Sequence, residues 1–393
     1  MTETPQLTFF APCPRGLESV LCSELVELHV RKPEPLQGGV RFQGPFSLCY
    51  QVNLLSRIAN RVLWAISQQP YRTEQDIYQH VLSLPWPSWF SVKNRIKVHV
   101  SAHRCPLQSL EFITLRIKDA ICDHFRKTTG TRPNVDTRKP DIGIYAYLDD
   151  CTLTIYLDTT GVPLFKRGYR KAQGPAPLRE NLAAGILHLT GWKPGEVLLD
   201  PMCGSGTFLL EAAQISSNIA PGLHRQFSFE KLLRFDQIIW AKLLRETQKV
   251  RRPIPSNTLF GSDHNPQALS AARTNIQSAG FPDDIILEHA DILNVQPPHR
   301  HGLLVTNPPY GVRTRDDRKL TEWYPQLGDA LKRHFFGWRT FFFTSDLQLP
   351  KHIRLTASRR TPLFNGALEC RLLEYSIVQG SHRLKSSRPS LRT

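Results

Sequence analysis

Two groups of residues have the types and spacing that chemistry requires. The first is the corner Asn307-Pro308-Pro309-Tyr310, which follows the apolar run 302–305. Asn307 precedes a proline, so its backbone is biased to extended conformations and its amide has few directions open to it. The two prolines lack N–H donors but keep carbonyls that accept. With Tyr310 beside them they make an acceptor cluster next to an aromatic face, suited to a flat ring that carries an exocyclic amine. The same four residues also read as a proline turn that closes a strand.

The second group is spread over three places. In Asp200-Pro-Met-Cys203-Gly204-Ser-Gly206-Thr207 a buried strand, 197–199, ends in an acid, turns through two glycines and enters an apolar helix. That is where an open parallel sheet binds a nucleotide-like cofactor. The phosphate-loop pattern GxxxxGK[ST] and a full GxGxxG are both absent. Asp200 would repel a phosphate and accept from a cationic amine, so the expected ligand carries an ammonium group. Asp263, closing the segment 259–263, is placed either to take ribose hydroxyls or to cap the helix that follows. It lies further from Asp200 than the roughly 20 residues usual for such a pair, so 217–255, with Phe227, Phe229, Phe235 and Trp240 in a helical stretch, reads as an insertion. Asp291, after a strand at 285–287, either accepts from an adenine amine or is a loop residue.

These residues need a sheet to hold them. The second half reads as helix 178–190, strand 197–199, helix from Thr207, strand 259–263, helix 267–279, strand 285–287, strand 302–305, helix 320–335, strand 340–344 and a hairpin over 361–378 turned at Asn365-Gly366. The first half alternates as well. Strands are expected at 7–11, 38–42, 62–66, 95–101, 143–148 and 151–158, with Asp149-Asp150 as a hairpin turn. Helices are expected at 17–28, 46–63, 77–82 and 111–127. Gly and Pro density marks 159–180 as a connection, whose cations from Lys166 to Lys171, and Arg179, either touch phosphates or are solvated.

Composition bounds the rest. The chain has 393 residues, 40% of them hydrophobic, enough for two or three domains. No run approaches the roughly 18 apolar residues of a membrane span. The N-terminus lacks the layout of a secretory signal, so a soluble cytoplasmic protein is expected. Eight cysteines without CxxC pairs or His-Cys ligand spacing read as reduced thiols, not as zinc ligands. Lys plus Arg number 50 against 34 Asp plus Glu, a formal charge of +16, which favours a polyanionic partner, nucleic acid first. Basic residues cluster at 95–139 as solvated faces or, taken together, as a nucleic-acid platform.

Asp200 to Thr207, Asp263, Asp291 and Asn307-Pro-Pro-Tyr310, in that order, resemble the class I S-adenosylmethionine-dependent methyltransferases acting on exocyclic amines. Phe9-Phe-Ala-Pro-Cys-Pro-Arg-Gly-Leu-Glu18, Leu164-Phe-Lys-Arg-Gly-Tyr-Arg170 and Ala176-Pro-Leu-Arg-Glu180 look like the THUMP-domain guanine-N2 RNA methyltransferases, especially the bacterial 23S rRNA enzymes. The resemblance covers roughly residues 7–380. It implies an α/β fold: a Rossmann-like, seven-stranded class I methyltransferase domain at 181–380, with one antiparallel strand, behind a linker at 166–180. Before these it implies an α+β ferredoxin-like domain at 1–63 and a THUMP RNA-binding domain at 64–165. The basic tail at 381–393 is expected to be disordered. The resemblance further implies S-adenosylmethionine (SAM) as cofactor, bound by the loop residues Asp200, Cys203, Gly204, Gly206 and Thr207, by Asp263 at the ribose and Asp291 at the adenine. Pro177 and Arg179 lie in the segment that closes over it. Some relatives carry a second methyltransferase, and a second modification is not expected of this chain.

Asn307 Oδ1 and the Pro308 carbonyl would accept the two N–H bonds of an extruded guanine amine, and Tyr310 would stack on the base. No metal is required. The expected partner is RNA, 23S rRNA or a large-subunit precursor. The alternatives are tRNA guanine-N2 methylation, DNA adenine-N6 methylation, and a non-catalytic RNA-binding assembly factor.

Overall fold

A computed structural model of the protein describes residues 6–172, 178–308 and 317–377. Pro177, Pro309, Tyr310 and the basic tail lie outside the described residues.

The first half folds as β1 (Leu7–Pro12), α1 (Glu18–Glu27), β2 (Glu34–Leu36), β3 (Gly39–Gly44), α2 (Leu48–Leu55), β4 (Leu63–Pro70), α3 (Glu74–Ser83), β5 (Ile96–Ala102), α4 (Leu110–Thr129), β6 (Ile142–Leu148) and β7 (Thr152–Asp158). Its strands make one seven-stranded sheet in the order β2-β3-β1-β4-β7-β6-β5. β4 joins its two parts, pairing with β1 through Phe10↔Leu63 and with β7 through Leu63↔Asp158. The expected boundary at 63/64 therefore falls at the first residues of a strand that both parts share. Asp149 forms the β6–β7 turn, its Oδ1 accepting from the amides of Cys151 at 3.1 Å and Thr152 at 2.6 Å.

Two expectations for this half need correction. The helix expected over 46–63 ends at Leu55, because Glu24 of α1 captures the chain: Ser56 Oγ donates to Glu24 Oε2 at 2.6 Å and the Arg57 amide to Oε1 at 2.7 Å. Ile58 is still buried, but from the bend that follows α2. β2 was not expected; it is three exposed residues on the sheet edge and carries no alternation to read.

The second half adds α5 (Glu180–Thr190), β8 (Leu198–Asp200), α6 (Thr207–Ser216), α7 (Gln237–Lys249), β9 (Leu259–Asp263), α8 (Pro266–Ala279), β10 (Ile285–His289), β11 (Leu303–Thr306), α9 (Asp317–His334), β12 (Arg339–Thr344), α10 (Leu349–His352), β13 (Arg359–Asn365) and β14 (Leu368–Ser376). The sheet order is β10-β9-β8-β11-β12-β14-β13, and β14 alone runs antiparallel to its neighbours. The strand order reverses between β8 and β11, where an open sheet leaves a crevice at its carboxyl edge. All four residues of β11 and all three of β8 are buried, as strands covered on both faces must be.

The aromatic insertion is not one helix. A 3-10 turn, Ser228–Lys231, precedes α7, and Asp236 caps α7 by accepting from the amides of Ile238 and Ile239. Phe229 lies 4.5 Å from the Tyr50 ring of α2 and packs edge-on to Trp240. The insertion thereby ties the two halves together.

The connection departs most from expectation. Arg167 and Arg170 neither are solvated nor face open solution for phosphates. Arg167 is 6% exposed and holds Glu211 of α6 with two bonds of 3.3 Å, while Tyr169 donates to the same carboxylate at 3.0 Å. Glu211, itself fully buried, draws both side chains inward. Among the described residues no helix is long and apolar enough to cross a membrane.

Candidate active site

Three adjacent parallel strands bring an acid to the carboxyl edge of the second sheet. β8 ends on Asp200, β9 on Asp263, and Asp291 follows β10 by two residues. Asp200 is 2% exposed, and its Oδ1 accepts from Thr306 Oγ1 at 2.7 Å and the Met202 amide at 3.3 Å. Among the described residues its Oδ2 has no hydrogen-bond partner. Burial, helped by the nearby charge of Asp263, pushes the Asp200 pKa up to about 7. A cation at Oδ2 would restore the ionised form.

The turn after Asp200 is shaped by two glycines in the left-handed region, Gly204 at φ 56° and Gly206 at φ 82°. The Cys203 amide donates to the Ser262 carbonyl at 2.9 Å and the Gly206 amide to the Cys203 carbonyl at 2.8 Å, which folds the turn against β9. Cys203 is buried, and burial raises its thiol pKa well above the ordinary value, so it stays neutral. Above Gly204 there is open space: a Cβ there would meet nothing within 4 Å.

Asp263 is not the cap of α8. Asn265 takes that role through its Oδ1 and the Gln267 amide, 2.9 Å. Asp263 instead braces the glycine turn, Oδ2 accepting from the Gly204 amide at 3.0 Å and Oδ1 from the Asn265 amide at 2.9 Å. Asp291 is half-buried and its Oδ1 accepts from the Leu293 amide at 2.9 Å, the bond of a turn residue.

Asn307 leaves β11 beside this row. Its Oδ1 is buried and has no hydrogen-bond partner among the described residues. Leaving such an oxygen unpaired costs about 1–3 kcal/mol, a cost that a donor from outside would remove. Pro308 behind it is buried.

The linker supplies residues that sequence reasoning missed as parts of the site. Arg170 donates to Glu180 Oε1 (2.8 Å), Ser205 Oγ (3.1 Å), the Leu178 carbonyl (3.0 Å) and Thr207 Oγ1 (3.0 Å), fixing the glycine loop to the start of α5. Asn275 of α8 accepts from the amides of Lys171 and Ala172 and donates to the Ser205 carbonyl at 3.1 Å. The available signal was an amide on the buried stripe of α8, next to Leu269, Ala272 and Ile276. Arg179, the residue before α5, has its guanidinium 5.0 Å above the Phe165 ring.

Comparison with known proteins bears on the whole chain. Residues 8–63 match the RlmL ferredoxin-like domain, 71–158 the THUMP domain and 167–374 the RMKL-like methyltransferase domain. The chain belongs to the RMKL-like methyltransferase family. Within this family, a Synechocystis protein whose name proposes an RNA methyltransferase is 38% identical over 370 residues, covering 94% of this chain and 96% of that one. The ribosomal RNA large subunit methyltransferase K/L of Aeromonas salmonicida is 37% identical over 95% of this chain. This chain spans only about half of it, 54%. A crystal structure of a methyltransferase candidate complexed with SAH is 28% identical, with a TM-score of 0.86 over 96% of this chain and 99% of that one. The family assignment agrees with the architecture: a class I SAM-dependent methyltransferase domain behind ferredoxin-like and THUMP domains.

Proposed function

We propose that the protein methylates the exocyclic N2 amine of a guanosine in 23S ribosomal RNA, in the cytoplasm, with SAM as methyl donor. The observation that carries this reading is the buried, unpartnered Oδ1 of Asn307 beside the row of strand-end acids. SAM supplies a methyl group already activated by a positive sulfur. The free Oδ2 of Asp200 suits its ammonium and the open space over Gly204 admits its methionine part; Asp263, at the end of β9, and Asp291, just beyond β10, are the residues proposed to take the ribose and the adenine.

The amine of guanine is a poor nucleophile because its lone pair is delocalised into the ring. Asn307 Oδ1 and the Pro308 carbonyl, each accepting one N–H, hold the lone pair toward the methyl and satisfy the buried oxygen at the same time. Tyr310 would stack on the extruded base. Neither acceptor is basic enough to keep a proton, so the proton lost on methylation passes to solvent. RNA as substrate is supported by the THUMP match and by the names of the relatives; large-subunit rRNA is supported by those named methyltransferase K/L.

The test is methyl transfer from radiolabelled SAM to protein-free rRNA, tRNA and DNA, followed by nucleoside analysis. Label in N2-methylguanosine from rRNA is the expected result. Label confined to tRNA would move the substrate, label in adenine would overturn the base, and SAH binding without any transfer would leave a binding protein only.

A further inference from the structure

Beyond the reacting corner, two arginines stand on aromatic rings at the mouth of the site with no acid to neutralise them. Their place follows from strand register. Thr306 of β11 pairs with Phe342, Phe342 with Leu373 and Leu373 with Arg360, so Arg360 of β13 is level with Thr306. β13 runs parallel to β11 through β12 and β14. Phe364 is therefore three residues further along than the level of Asn307, about 10 Å beyond it, and three strand spacings, about 14 Å, to one side. The hairpin tip forms a ledge ahead of the carboxyl edge.

Arg15 lies on that ledge. Its guanidinium carbon is 4.1 Å from the centre of the Phe364 ring, and its side chain is exposed. The turn that carries it is wedged into place: a Cβ on Gly16 would come within 2.6 Å of the Pro362 carbonyl oxygen, and Leu17 fills the space beside Gly185 of α5. Arg179, also exposed, stacks on Phe165, and its Nη2 is 3.9 Å from the place a Cβ would occupy on Gly366, two residues beyond Phe364.

The nearby carboxylates are all engaged. Glu18 gives its two oxygens to the amides of Gly16 and Gly38, Glu180 is held by Arg170, and Glu369, opposite Phe364, by Arg371 at 2.7 Å. Among the described residues, neither Arg15 nor Arg179 has an ion-pair partner. A guanidinium laid on a ring keeps its N–H edges free and loses little freedom when it binds, which suits a phosphate.

We propose that Arg15 and Arg179 form a phosphate clamp for the single strand of RNA that flanks the extruded base, both gripping it at the tip of the β13–β14 hairpin, to one side of Asn307. The clamp rests on the reading of the site as an RNA methyltransferase. It joins the N-terminal unit to the catalytic hairpin through the substrate, and it makes Arg179 an RNA contact instead of a cofactor contact.

The experiment uses the full chain with Met and Lys at each position: Arg15→Met, Arg179→Met, the double variant, and Arg15→Lys and Arg179→Lys. A fluorescein-labelled, mixed-sequence single-stranded RNA is titrated at several KCl concentrations, and SAH binding is measured by calorimetry. Each Met variant should weaken RNA binding and flatten the plot of log affinity against log salt by about 0.7, with about twice that for the pair. The Lys variants should keep the slope, and SAH affinity should not move. An unchanged slope in the Met variants, or a loss of SAH affinity with RNA binding intact, overturns the clamp. Both readouts need no turnover, so failure to methylate guanine would overturn the functional reading and leave this result standing.

Discussion

Two buried polar constellations of the protein are built on opposite rules. At the joint between the halves, Arg167, Tyr169 and Glu211 satisfy one another, and Arg167 also donates to the Leu164 carbonyl at 2.8 Å and the Arg57 carbonyl at 2.6 Å. At the corner after β11, Asn307 Oδ1 has no partner at all among the described residues. Closed networks fix geometry, because each member would be costly to leave alone. An open acceptor at the carboxyl edge of the sheet, beside the strand-end acids, stands where a ligand can supply the missing donor.

The joint should break hardest. Glu211→Ala leaves the Arg167 guanidinium, 1% exposed at its side chain, without its counter-charge in the interior. The expected cost is about 3–5 kcal/mol, read as a lower urea midpoint. A loss under 1 kcal/mol would show that the joint is wet or able to rearrange, so that it does not differ from the corner in this way. The corner should respond differently. Asn307→Ala should lower the methyl-transfer rate on the order of a hundredfold or more, while the urea midpoint and SAH affinity stay near those of the wild type, since Oδ1 holds no hydrogen bond among the described residues. A variant that unfolds or no longer binds SAH would assign Asn307 to structure or to the cofactor.

The same contrast explains what could be read from the amino-acid order. The strand, glycine turn and helix from Leu198 to Ser216 are legible because their signals are local: apolar run, acid, Gly204 and Gly206, apolar helix. The β13–β14 hairpin is legible for the same reason, although its two-residue turn is Gly366-Ala367 and not Asn365-Gly366, because Asn365 still pairs with Leu368. Partners distant in sequence are not legible. Glu24 ends α2 by reaching Ser56 and Arg57, and nothing near residue 56 announces it. Arg167 and Arg170 look like surface cations in a Gly-rich stretch until the fold sets Glu211 and Glu180 beside them. Asn275 reads as one polar residue in a helix until its amide is found holding Ala172 and Ser205. The catalytic corner lies between these cases: its residue types are visible in sequence, whereas the lack of a described partner for its buried Oδ1 is a property of the fold.

Asp200 sharpens the comparison more gently, because it is half closed: Oδ1 is bonded to Thr306 and Met202, and Oδ2 is left for a ligand. Burial and the charge of Asp263 raise its pKa from the ordinary aspartate value of 3.8 to about 7. A folded-state pKa above the unfolded one gives stability that is fully present below pH 4 and is lost as pH rises toward and through 7. Stability without ligand should therefore decline across that window, and Asp200→Asn should flatten the decline. Ligand binding should run the other way. An ammonium is held by the ionised form, so SAH affinity should rise about tenfold between pH 6 and 8 as Asp200 gives up its proton. In Asp200→Asn that rise should disappear together with most of the affinity. A wild-type affinity flat across this range would mean that Asp200 is already ionised before the ligand arrives, or that the ammonium is held elsewhere. The Asn variant separates the two, since only in the second case would it bind SAH as the wild type does.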